Sequence, residues 1–119
     1  MHHDAVVPFR AAHNYAESLS HLKRYEETRA LLRKTIPVAR RVLGEGHKLT
    51  LMMRWYYAAA LFDDPCATLD DLREAVVTLE DTQQIARRVL GGAHPDVVSI
   101  EGNLQRARAV LRAHETPSP

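Results

Sequence analysis

Ala39-Arg40-Arg41-Val42-Leu43-Gly44 recurs as Ala86-Arg87-Arg88-Val89-Leu90-Gly91, 47 residues further on. In both copies a histidine follows the glycine at the third position, His47 and His94. Upstream, Glu27 aligns with Glu74 and Leu32 with Leu79 at the same offset. Asn14-Tyr15-Ala16 and Leu19 align with Tyr56-Tyr57-Ala58 and Leu61 at an offset of 42. The two offsets reconcile if five extra residues sit in the acidic, Pro-containing stretch 62–71, which reads as a lengthened turn. A third partial copy places Asn103-Leu104 where Asn14-Tyr15 stands in the first. Internal repetition of this kind is the signature of a stacked repeat array.

The hydrophobic period is helical throughout, and no segment alternates as a strand would. A first helix is expected from Pro8, with Phe9, Ala12, Ala16, Leu19 and Leu22 as its apolar stripe. Lys23-Arg24 reads as a tight turn. A second helix runs from Tyr25 to Leu43 with Tyr25, Leu31/Leu32, Ile36, Ala39 and Val42/Leu43 on one face, a kink at Pro37 and Gly44 at its end. A third spans about 48–62 with Leu51, Tyr57, Ala58 and Leu61 inward. Thr68 and Asp71 have capping-box spacing at the start of a fourth, which carries Leu72, Ala75/Val76, Leu79, Ala86 and Val89/Leu90 and ends at Gly91-Gly92. The fifth starts at Pro95 and carries Val97, Ile100, Leu104, Ala107 and Leu111. The expected fold is all-α: antiparallel helical hairpin repeats in an α-solenoid, about five helices. Two full repeats (8–46 and 47–93) precede a C-terminal half repeat or capping helix (94–114). Residues 1–7 are expected to form a flexible tail and 115–119 a disordered one.

The motifs resemble a tetratricopeptide repeat of the kinesin-light-chain type, which reads roughly N-L-A-x-L-Y, then G-R-Y-E-E-A, then V-L-G-x-x-H-P-x-T. The first copy matches at Asn14, Ala16, Arg24-Tyr25-Glu26-Glu27, Val42-Leu43-Gly44, His47 and Thr50. The second matches at Ala58, Leu61, Glu74-Ala75, Val89-Leu90-Gly91 and His94-Pro95-Asp96. Lys23 stands where the family has a turn glycine, Thr28 where it has alanine, and Lys48 where it has proline. The resemblance implies a binding scaffold whose first-of-pair helices line a concave groove for a peptide. Its groove asparagine carries over to Asn14 and Asn103, with Tyr56 at the equivalent place in the second repeat. Helical spacing adds Arg10, Glu17 and His21 on the first helix, Met52, Trp55, Ala59 and Asp63 on the third, and Ser99, Arg106 and Val110 on the fifth. The expected partner-binding set is Arg10, Asn14, Glu17, Tyr56, Asn103 and Arg106.

Other functions find less support. Lys and Arg total 16 against 15 Asp and Glu, a formal charge of +1, so no strong field draws in nucleic acid. The arginine pairs 40–41 and 87–88 lack aromatic interleaving and read as a solvated face, with RNA binding a lesser alternative. Cys66, the one cysteine, excludes an internal disulfide. No apolar run approaches a membrane span. His47 and His94, a repeat apart, are expected to hydrogen-bond within the inter-repeat loops, so no metal or cofactor is expected. His13 and Glu17 read as a helix-stabilising pair, and no catalytic motif is present. The expectation is therefore a non-enzymatic, cytoplasmic scaffold for a protein or peptide. The alternative is an assembly subunit or self-associating module, discriminated by exposure of Phe9 and Tyr15.

Overall fold

The computed structural model describes residues 2–116, with side chains from residue 5. Five helices follow one another: α1 (His2–His21), α2 (Tyr25–Val42), α3 (Lys48–Asp63), α4 (Leu69–Leu90) and α5 (Pro95–Glu115). No strand occurs among the described residues. Each helix packs on the next in sequence, and α3 also touches α1 and α5. The first-of-pair helices α1, α3 and α5 thus form one layer, with α2 and α4 on the other. The backbones of α2 and α4 do not meet. This is the helical repeat architecture of a tetratricopeptide-like solenoid.

Burial explains the arrangement. On α2 the buried set is Thr28, Leu32, Ile36 and Ala39, and on α5 it is Val97, Ile100, Leu104 and Ala107. Both are single stripes at helical spacing, as expected for helices with one covered side. On α3 burial runs almost all round: Leu49 to Arg54, Tyr57, Ala58 and Ala60 to Phe62. Such a helix is a core element, covered here by four neighbours. Met52 and Met53 belong to that core.

The helix ends follow local chemistry. Thr68 caps α4: its hydroxyl accepts from the Asp71 N–H (3.1 Å), and Asp71 returns the favour to the Thr68 N–H (2.9 Å). His47 and His94 cap α3 and α5 in the same way. Nδ1 accepts from the Leu49 N–H (3.1 Å) in one and from the Asp96 N–H (3.0 Å) in the other. Their role is structural and local to the helix start.

Two boundaries differ from the sequence reading. α1 begins at His2, so the helix extends back through the expected tail, with Pro8 inside it. Pro8 is exposed. Water can therefore satisfy the carbonyl its missing N–H would have bonded, and the helix continues at the cost of one bond. Leu22 falls in the turn after α1 and is exposed, outside the stripe assigned to it. At the other end, α5 runs to Glu115, and the expected tail lies from 117 on outside the described residues.

The α1–α2 turn closes as a Schellman motif. The Arg24 N–H bonds the Leu19 carbonyl (2.9 Å) and the Lys23 N–H bonds that of Ser20 (3.0 Å). This forces Lys23 to φ 59°, a left-handed conformation that a side chain disfavours. Lys23→Gly is expected to raise stability by about 0.5–1 kcal/mol, the relieved strain exceeding the added unfolded-state entropy. Urea denaturation of both proteins checks this, and a loss of stability would mean that the lysine side chain holds the turn.

The α3–α4 turn is held differently. Asp64 accepts from the Cys66 N–H (2.8 Å) and from Arg29 Nη1 (2.9 Å). Arg29 also donates to the Ala60 carbonyl (3.2 Å), one of the last in α3. These bonds hold the Asp64 carboxyl below its usual range, the Cys66 N–H first and Arg29 second. A depressed folded pKa gives stability that is complete above the unfolded value of about 3.9 and is lost as pH falls through the folded one. Asp64→Asn is expected to cost about 1 kcal/mol at neutral pH. It should also flatten the acid limb of a stability–pH profile below about pH 4.

Candidate functional site

The layer of α1, α3 and α5 presents one continuous face, and most of the expected binding residues lie on it. Each of the two interfaces within the layer carries a polar bridge. At the first, the Tyr56 hydroxyl donates to Glu17 Oε2 (2.9 Å). The His13 ring tilts against the same tyrosine with centroids 5.4 Å apart, and the Trp55 ring stacks at 6.3 Å. Glu17 therefore pairs with Tyr56 across helices, leaving His13 as the ring partner of that tyrosine. Tyr56 and Trp55 are half-buried. Burial, and then the Glu17 carboxylate, push the Tyr56 phenol up to about 12, so it stays a neutral donor.

At the second interface, Arg106 Nη2 reaches Asp63 Oδ1 (3.3 Å), and its guanidinium lies over the Phe62 ring, 5.3 Å from the centroid. Arg106 Nη1 also donates to Asn103 Oδ1 (3.2 Å), while Asn103 Nδ2 donates to the Ser99 carbonyl (2.9 Å). Burial raises the Asp63 carboxyl, and Arg106 offsets this only in part. Tyr56 and Asp63 are seven residues apart on α3, so the two bridges lie about 10 Å apart along one face. Arg10 and Asn14 are exposed on α1, and Asn14 Oδ1 sits 3.4 Å from His13 Nδ1.

Six expected residues thus resolve into one cross-helix pair (Glu17 with Tyr56), one cluster (Asn103 and Arg106, with Asp63) and two exposed groups on α1. Among the described residues no cluster of three or more His, Cys, Asp or Glu is placed to hold a metal ion. Among the same residues no helix is long and apolar enough to cross a membrane. One arginine of each pair is drawn into an ion pair, Arg40 with Glu45 (2.7 Å) and Arg87 with Glu101 (2.5 Å).

The family comparison bears on the same helices. Residues 10–47 match the tetratricopeptide repeat model, from within α1 through α2 to the cap of α3. Over those residues the chain is similar to a tetratricopeptide repeat. No curated protein and no solved structure matches it. The matched stretch is one helix pair, and the pair α3–α4 repeats its internal logic. Ala16 and Ala58 are fully buried at equivalent places, Gly44 and Gly91 both take positive φ, and His47 and His94 both cap the next helix. Tetratricopeptide repeats generally mediate protein–protein interactions.

The sequence reading missed the groups on the opposite side of α3. Arg54 is buried there, and the Tyr57 hydroxyl accepts from Arg33 Nε (3.2 Å) and Nη2 (2.9 Å) while donating to Glu74. One signal was available: Arg54 is the only charge between Leu49 and Phe62.

Proposed function

We propose that this repeat module binds a peptide segment of a protein partner on the face of α1, α3 and α5, without catalysis. The observation that supports this best is the pair of cross-helix bridges on that face, Glu17 with Tyr56 and Asp63 with Arg106. They fix a half-buried aromatic anchor, Trp55 and Tyr56, between exposed Arg10 and Asn14 on one side and Arg106 on the other. Rigid aromatics flanked by hydrogen-bonding and charged groups are the usual composition of a binding hot spot. Arg10 and Arg106 suit acidic side chains or a terminal carboxylate. The motif spellings favour the kinesin-light-chain-like branch, and a cytoplasmic location goes with that reading.

The test is retention of a partner from source-cell extract by the wild type and by an Arg10→Ala/Asn14→Ala/Arg106→Ala variant. The partner should be lost by the variant while its unfolding free energy stays within about 1 kcal/mol of wild type, because these are surface groups. Equal retention would move the binding surface elsewhere. A second reading draws on α1 alone. Val7 and Tyr15 are 61% and 54% exposed there, whereas Phe9 is buried. This apolar strip suits docking to a further repeat or a second copy, which sedimentation of Tyr15→Glu against wild type would reveal.

A further inference from the structure

We propose that the cleft between α2 and α4 is a second binding site, for an organic anion bearing a carboxylate or phosphate oxyanion on an apolar body. The backbones of α2 and α4 do not meet, and a cleft of about 270 Å³ opens between them, floored by Arg54 and Tyr57 of α3. Arg54 and Tyr56 are two residues apart, about 200° around the helix, so this cleft lies on the far side from the peptide face.

Arg54 is the reason to expect an anion. Its side chain is only 8% exposed, and Nη1 is fully buried without a hydrogen-bond partner. The nearest carboxylates are Glu45 and Asp81, each 3.7 Å away, beyond hydrogen-bond range, and mostly in water at 51% and 59% exposure. Glu45 is already engaged by Arg40 at 2.7 Å. Burial and the neighbouring Arg40 guanidinium both disfavour the charge on Arg54. Thr50 Oγ1, one helical turn back on the same side, is the other buried side-chain atom without a partner among the described residues.

The remaining walls fit the rest of such a ligand. Leu32, Ile36 and Pro37 supply an apolar side, and Thr78 faces them from α4. Glu74 would repel an anion, but its carboxylate is bound by the Tyr57 hydroxyl, which Arg33 holds in turn. Arg54 remains as the cation of the cleft without a hydrogen-bonded carboxylate, with Arg40, already paired to Glu45, beside it. A guanidinium reads carboxylate and phosphate alike through two parallel N–H bonds.

Benzoate and phenyl phosphate are suitable probes, with benzamide as the uncharged control. Amide shifts of Thr78 and the Arg54 side-chain Nε–H would be followed by NMR during titration of the full chain. Saturable binding of either anion is expected, with the ratio of their affinities showing which oxyanion the site prefers. Arg54→Met should weaken it about tenfold or more, and Arg40→Gln, an exposed change that leaves the fold intact, severalfold. The proposal is overturned by any of three results: no saturable shift with either anion up to about 20 mM, affinity unchanged in both variants, or equal binding of benzamide.

Discussion

Leu61→Ala is expected to lower the unfolding free energy by roughly 3–4 kcal/mol, a large part of what a domain of this size has. Leu61 is fully buried on α3, the one helix packed against all four others. A truncated side chain there leaves a cavity that several elements would have to move together to fill, so little of it collapses. Thermal unfolding should shift down by about 10 °C or more. Far-UV circular dichroism during urea and thermal unfolding measures both. Val89→Ala, at an exposed position on α4, should change stability by no more than about 0.5 kcal/mol. A loss below about 1 kcal/mol at Leu61 would show that α3 is not the centre of the core.

Arg54→Met is expected to act in the other direction and stabilise the fold by about 1–2 kcal/mol. The guanidinium has given up water without gaining a hydrogen-bonded counter-charge, since both nearby carboxylates stand at 3.7 Å. Burying a charge so poorly compensated costs more than its attractions return. Methionine has a similar unbranched stem and keeps the packing along α3. Glu45 keeps Arg40 as its partner, and Asp81 remains in water. The measurement is the urea midpoint and slope of the two proteins. A destabilisation of about 2 kcal/mol or more would show that Arg54 ties α3 to Glu45 and Asp81, which would make it a structural residue. The expected gain matches the anion-site reading, because sites built for ligands are often held at the expense of stability.

Both predictions turn on α3, where sequence and structure part most clearly. Most of the buried stripe of α2, α4 and α5 was readable, because one covered side leaves one stripe. Val42 and Val89, expected inward near the helix ends, are exposed, however, and the buried Thr28 and Thr82 carried no apolar signal. The turn chemistry was readable as well: the Thr68–Asp71 box, the glycines at 44 and 91, and the anomaly at Lys23 each name their own backbone geometry. The start of α1 was not, because Pro8 marks a helix beginning only if nothing upstream can propagate through it. On the layer of α1, α3 and α5, the resemblance singled out Tyr56, and helical spacing added Glu17, Asp63 and Arg106. Which of them would bridge depended on how close α1 and α5 come to α3.

By itself, then, the sequence determined the repeat, the five helices, their order and most of their ends, because these depend on contacts a few residues apart. Tertiary structure alone decided the state of Arg54. An arginine in a helix reads as a surface residue until four neighbouring helices surround the one that carries it. It also decided that α2 and α4 stand apart and leave a cleft above Arg54 and Tyr57. A gap between two elements is set by the packing of a third, and no local spacing in either one encodes it.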